Sequence, residues 1–170
     1  QVGYFILHDR ITRVNMDFTH DVCYEGLFYL EESLKSMKPS GLHQSVGEWE
    51  TVEGARAHLP QNVRKSWFAF DHYFSDSSFP KALPIVFANK PKKLLDIGGN
   101  TGKWALKCVG YDCDVEVTIA DLPGQLDDAR KNIEAAGFAE RVKYQSIDLL
   151  NHDISFEGDF DAVWMSQFLD

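Results

Sequence analysis

Between Leu94 and Met165 short apolar runs alternate with amphipathic stretches, and that alternation restricts the fold more than any other feature of the chain. Leu94 to Ile97 is a β-prone run, and Gly98, Gly99, Asn100, Thr101 and Gly102 make a turn into a helix carrying Trp104, Leu106 and Cys108. Val115, Val117 and Ile119 alternate in a second strand that ends at Asp121. Leu126, Ala129, Ile133 and Ala136 then share one helical face, with Pro123 ahead of the first turn and Gly137 placed to end the helix. Val142 to Ile147 and Asp161 to Met165 supply two further strands. Strand, helix, strand, helix, strand in this order predicts an α/β fold with a doubly wound parallel sheet.

Upstream of Pro91 the pattern is different. Tyr4 to Leu7 and Ile11 to Val14 are β-prone runs around His8, Asp9 and Arg10, which predicts a hairpin. Leu27, Leu30 and Leu34 recur at helical spacing, so a helix is expected from Tyr24 to Met37, stopping before Pro39 and Gly41. The aromatic stretch from Val63 to Phe74 reads as another helix and Pro84 to Asn89 as part of a further one, with a loop at Ser75, Asp76, Ser77 and Ser78.

The chain has 170 residues, 44% of them hydrophobic, which is enough to bury a core. A net charge of -9, with acids scattered among the other residues, argues against nucleic acid or an anionic membrane, since both reward clustered Lys and Arg. A small-molecule partner is expected instead. Cys23, Cys108 and Cys113 form no CxxC pair and have no close histidine, so no metal site is expected and a reducing cytoplasm is. No apolar run approaches membrane-spanning length, and a start at Gln1 suggests a fragment.

In open parallel sheets ligands bind outside the carboxyl ends of the strands. Those ends hold Asp96 with the glycine turn, Asp121, Asp148, and the run from Trp164 to Asp170. The turn lacks the GxGxxG spacing of a pyrophosphate cradle and the Gly-Lys-Ser/Thr ending of a P-loop. Adjacent glycines let the backbone pass close to a ligand, while Asp96 suits an ammonium or sulfonium. Asp121, 25 residues further on, can accept both hydroxyls of a ribose, and Asp148 can accept from an adenine amino group. Structural readings stay open: a tight turn for the glycines, a helix cap before Pro123 for Asp121, a loop-forming role for Asp148, and core packing for the aromatics from Trp67 to Phe74.

The segments LLDIGGNTG, VTIADLPG and RVKYQSIDLL, with LFYLEESLKSMKPSG and FDHYFSDSSFP upstream, resemble the S-adenosylmethionine-dependent O-methyltransferases of the caffeate and hydroxyindole type. The resemblance covers nearly the whole chain. It implies a class I methyltransferase domain over 63–170, incomplete at its C-terminus. Before it, 1–62 would be the remnant of a dimerisation region with a winged-helix hairpin, and the protein would be a homodimer. It also implies S-adenosylmethionine as cofactor, S-adenosylhomocysteine as product, and methylation of a small aromatic hydroxyl acceptor. By the same resemblance Gly98, Gly99, Asn100 and Gly102 lie beside the methionine part, Asp121 holds the ribose, and Leu122 covers the adenine with Asp148 and Leu149 on its far side. Ser77 or Ser78 would bind the methionine carboxylate, and Phe70 and Tyr73 would face the acceptor.

One position departs from the family. The segment after the fourth strand normally ends in His-Asp-Trp, whose histidine takes the acceptor proton; matching WMSQFLD to it puts Asp170 at that place. A carboxylate of pKa about 4 is a poorer base for a phenol than an imidazole near 6.5. A protein that binds the cofactor in a regulatory role without turnover is the alternative this substitution raises.

Overall fold

The computed structural model describes residues 2–47, 59–149, 151 and 153–166. They form two compact units, Gln1–Asp76 and Ser77–Asp170.

The first unit is helical. Helices α1 (Val2–His8) and α2 (Arg10–Phe18) replace the expected hairpin, and no winged-helix hairpin occurs among the described residues there. The residue that looked like a turn, Asp9, is an N-cap: in extended conformation, its carboxylate accepts the N–H of Thr12 at 3.0 Å and the Thr12 hydroxyl at 2.5 Å. From there Ile11, Val14 and Phe18 follow a helical period, with Val14 buried and Phe18 stacked on Phe70 at 4.1 Å. Capping and tertiary packing outweigh the β preference of the Tyr, Phe, Ile and Val side chains.

One turn of π-helix (Thr19–Cys23) leads into α3 (Tyr24–Leu27), α4 (Leu30–Ser36) and α5 (Ser40–Val46). The single helix expected from Tyr24 to Met37 is thus broken at Phe28 and Tyr29, and α4 stops at Met37, which takes a left-handed conformation. Helices α3 and α5 cross where Gly26 and Gly41 meet backbone to backbone, too close for a Cβ on Gly41. Asp21 in the π-turn accepts the hydroxyl of Ser66 at 2.5 Å, which with His20 beside it holds the carboxyl below its ordinary pKa.

Helix α6 (Gln61–Val86) runs through the stretch where a loop was expected and continues across Pro80 and Pro84. Two facts explain it. The Ser75 hydroxyl donates to the carbonyl of Asp71 one turn back at 2.6 Å, a bond available inside a helix. Phe79, Leu83 and Phe87, four residues apart, are all buried in the core of the second unit, and that burial outweighs the two missing proline N–H groups.

The second unit carries strands β1 (Lys93–Ile97), β2 (Glu116–Asp121), β3 (Val142–Ser146) and β4 (Ala162–Met165), all parallel in the order β3-β2-β1-β4. Helix α7 (Lys103–Tyr111) follows β1 and α8 (Pro123–Ala135) follows β2. One sheet face, with Leu94, Val117, Ile119 and Val142, packs on α7, α8 and the end of α6. The other, with Leu95, Ile97 and Ala120, is covered by Ile147, Leu149, Ile154, Phe156 and Phe160. Two long-range ties set the register of these pieces. Arg141 donates to the carbonyls of Asp112 and Val109 at the end of α7, and Asp161 accepts the N–H groups of Lys92 (2.7 Å) and Lys93 (2.9 Å) where β4 joins β1. No helix among the described residues is long and apolar enough to cross a membrane.

Candidate functional site

The chain moves outward from β1 to β2 to β3 and then returns to the other side of β1 for β4. That reversal is a topological switch point, and the crevice at the carboxyl end of β1 is where such a sheet receives a ligand. Sequence periodicity yields the strands; the strand order, which places the crevice, comes from the structure.

The glycine turn sits at this point. Gly98, with φ at +69°, donates its N–H to the carbonyl of Ala120 at 2.9 Å, and Gly102 donates to the carbonyl of Gly99. Asn100 is also left-handed, with φ at +50°. Its N–H donates to Asp121 Oδ2 at 2.8 Å, while Asp121 Oδ1 accepts the N–H of Leu122, also at 2.8 Å. Asp121 does not cap α8, whose cap position is Leu122 without a side-chain bond. Asn132 on α8 donates to the carbonyl of Thr101, fixing the turn from its far side.

Asp96 lies beneath the turn, 2% exposed, and its Oδ2 has no hydrogen-bond partner. Gly99 is obligatory above it, because a Cβ there would stand 2.7 Å from that oxygen and 2.8 Å from Ile119 Cγ2. Burial first, and then the Asp121 charge, push the Asp96 pKa up to about 8. Asn100 Oδ1 and Thr101 Oγ1 are likewise buried without partners, so unsatisfied polar atoms gather in and beneath the turn.

The structure therefore brings together Asp96, Gly98, Gly99, Asn100 and Asp121. Gly102 turns instead toward Ala129, Ile119 and Ile133. Asp148 is exposed just after β3, and its carbonyl accepts the N–H of Asn151 in a turn; Leu149 belongs to the apolar cover of the sheet. Ser77 and Ser78 are exposed on α6, in helix where a loop was expected. Phe70 and Tyr73 lie in the first unit, Phe70 between Phe18 and Phe74, and Tyr73 beneath the guanidinium of Arg10. Asp170 lies outside the described residues. Among those that are described, no three His, Cys, Asp or Glu side chains gather as a metal site.

Sequence reasoning missed an aromatic group beside Asp96. Trp164 is its register neighbour on β4 and stacks on Trp104 of α7 at 4.0 Å, with Phe79 5.0 Å from Trp104. Neither indole N–H has an acceptor. The signal was available in the spacing, since Trp164 falls on the same side of its strand as Ala162, but the partner strand is not written there.

No family model matches the chain. It is 24% identical over 152 residues to the L-tyrosine C(3)-methyltransferase of Streptomyces lavendulae, a match covering 89% of this chain and 41% of the relative. The S-adenosylmethionine-dependent methyltransferase SibL superposes with a TM-score of 0.64 at 25% identity, over 93% of this chain and 46% of that one. The O-methyltransferase NcsB1 from neocarzinostatin biosynthesis, solved with S-adenosylmethionine and 2-hydroxy-5-methyl naphthoic acid, gives 0.64 at 15% identity over 98% of this chain and 46% of that one. The chain spans less than half the length of each. Sheet order, switch-point turn and neighbours together define the fold as that of class I, S-adenosylmethionine-dependent methyltransferases. Human N-acetylserotonin methyltransferase, solved with S-adenosylmethionine, shares that fold at 15% identity with a TM-score of 0.57, over 81% of this chain and 39% of that one.

Proposed function

We propose that this chain is the cofactor-binding part of an S-adenosylmethionine-dependent methyltransferase acting on a small aromatic acceptor, with S-adenosylhomocysteine as product and no metal. The observation that carries the reading is Asp121: at the switch point, its two oxygens accept the N–H groups of Asn100 and Leu122, which ties it to the glycine turn and sets a carboxylate, the group suited to accept ribose hydroxyls, at the carboxyl end of β2. Gly98, Gly99 and Asn100 form the turn over which the methionine part would lie, with Asp96 beneath Gly99 to receive positive charge. Leu122 is half-buried at the start of α8, where it can lie against the adenine. When bound, S-adenosylmethionine supplies the methyl group on a sulfonium, for in-line transfer to the acceptor. The chain's contribution is orientation, the term that dominates when the methyl donor is already activated.

The acceptor atom has two readings. Oxygen follows the neighbours that are O-methyltransferases, NcsB1 and the mitomycin 7-O-methyltransferase MmcR. Carbon is favoured by the name of the tyrosine methyltransferase relative together with Asp170, which stands where the imidazole base of phenol O-methylation is expected. The test uses the full-length protein, methyl-labelled cofactor, and a panel of phenols and aromatic amino acids, with the product's labelled atom read by NMR. Cofactor binding without transfer to any member would favour the regulatory reading, and no binding at all would sink both.

A second copy of the chain is the proposed partner. Tyr4, Leu7, Leu27, Phe28 and Leu34 stand more than half exposed on the helical unit, apolar surface that a second copy would cover. The free thiols Cys23, Cys108 and Cys113 support a reducing cytoplasm as its location.

A further inference from the structure

Asp96 differs from the other acids of the site in having no polar partner for its inner oxygen. It stands on β1 in register with Ile119 of β2 and Trp164 of β4, on the helix-covered face. Gly99 closes over it from the turn. The titratable groups that act on it are Asp121, a like charge, and Cys108 of α7, whose thiol is itself pushed up in pKa by burial and by Asp96. No ion pair to Asp96 forms among the described residues. A carboxylate whose inner oxygen is enclosed in this way, with no donor to that oxygen and no paired cation among the described residues, is costlier than the neutral acid, and burial with the Asp121 charge raises its pKa to about 8.

A ligand that brings positive charge to the turn changes that balance. S-adenosylmethionine carries a sulfonium and an ammonium against one carboxylate; S-adenosylhomocysteine has lost the sulfonium charge and is neutral overall. Resting on the cofactor reading above, we propose that Asp96 makes the site charge-selective: it is neutral in the free protein and releases its proton to solvent when the sulfonium cofactor enters, so that the cofactor is held more tightly than its thioether product. The proton leaves the Asp96 carboxyl for water, and the resulting carboxylate faces the ligand's positive charge. The preference for cofactor over product then increases with pH, because at higher pH less work is needed to remove the proton.

The test is calorimetric titration of the full-length protein with S-adenosylmethionine and with S-adenosylhomocysteine at pH 7, in phosphate and in Tris, whose different ionisation enthalpies report the protons exchanged. The expected result is release of up to about one proton with the cofactor and distinctly less with the product. The affinity ratio should rise severalfold from pH 6 to pH 8. Asp96→Asn, nearly isosteric with the protonated acid, should bind both ligands while losing the difference in proton release and the pH dependence of the ratio. The native measurement needs no variant, so it decides the matter even if Asp96→Asn does not fold. Equal proton release for the two ligands, or a difference that persists in Asp96→Asn, would overturn the role of Asp96 while leaving the cofactor site intact. Failure to bind either ligand would overturn the cofactor reading itself.

Discussion

The carboxylate of Asp121 and the backbone N–H of Asn100 are joined at 2.8 Å, so one side chain at the end of β2 holds the turn that follows β1. Because Asn100 is left-handed, that turn has little intrinsic preference for its shape, and the bond fixes it. Asp121→Ala should weaken S-adenosylhomocysteine binding by about 1.5 to 3 kcal/mol, the range for losing hydrogen bonds to a charged group. Calorimetry on native and variant protein checks this; an unchanged affinity would remove Asp121 from the ribose.

Gly99→Ala tests the close approach at the same turn. Its Cβ would meet Asp96 Oδ2 at 2.7 Å and Ile119 Cγ2 at 2.8 Å, and both of those groups are anchored on buried strands. A loss of about 1 to 3 kcal/mol in urea unfolding is expected, as for overpacking a core. Shortening the opposing side chain should recover part of it, so Asp96→Ala and Gly99→Ala together should be less damaging than the sum of the two. Additive losses would show that the two residues do not compete for the space.

The strands were legible because a half-turn period leaves little ambiguity: each of the four observed strands lies within one or two residues of its apolar run, from Lys93–Ile97 to Ala162–Met165. Asp96, the glycines and Asp121 were legible for the same reason, since each closes a strand. The helical unit was not. Tyr4 to Leu7 favours strand in isolation, and only the Asp9 cap with the burial of Val14 reverses it. The long helix α6 was hidden by Ser75 to Ser78 and two prolines, whose local preferences yield to the burial of Phe79 and Leu83. Tertiary contacts decide those segments, and a one-chain pattern contains no record of them.

Leu27 and Leu34, at 56% and 68% exposure, carry the proposal of a second copy. Leu27→Glu with Leu34→Glu should leave the helices folded, since neither side chain is part of a core, but should convert a dimer to monomer in sedimentation velocity at micromolar concentration. A native protein that already sediments as a monomer would end the proposal.

Asp96 also makes a prediction about stability. Its pKa is about 8 in the folded chain and that of a free carboxyl, about 4, in the unfolded one. Between those values the folded protein keeps a proton that the unfolded chain has lost, so the free energy of unfolding must fall as pH rises, by up to about 1.4 kcal/mol per pH unit. Asp21 and Asp161, whose pKa values lie below the ordinary range, act oppositely and in another window: their contribution is complete above pH 4 and is lost only under stronger acid. Stability should therefore peak near pH 5 and decline toward pH 8. The urea midpoint, followed by the emission of the stacked Trp104 and Trp164 in the second unit, reads this directly. Asp96→Asn, which cannot ionise, should flatten the decline from pH 5 to 8 and leave the acid limb unchanged. An identical decline in native and variant protein would mean that Asp96 is already ionised in the fold, and that something supplies it with a donor or a cation.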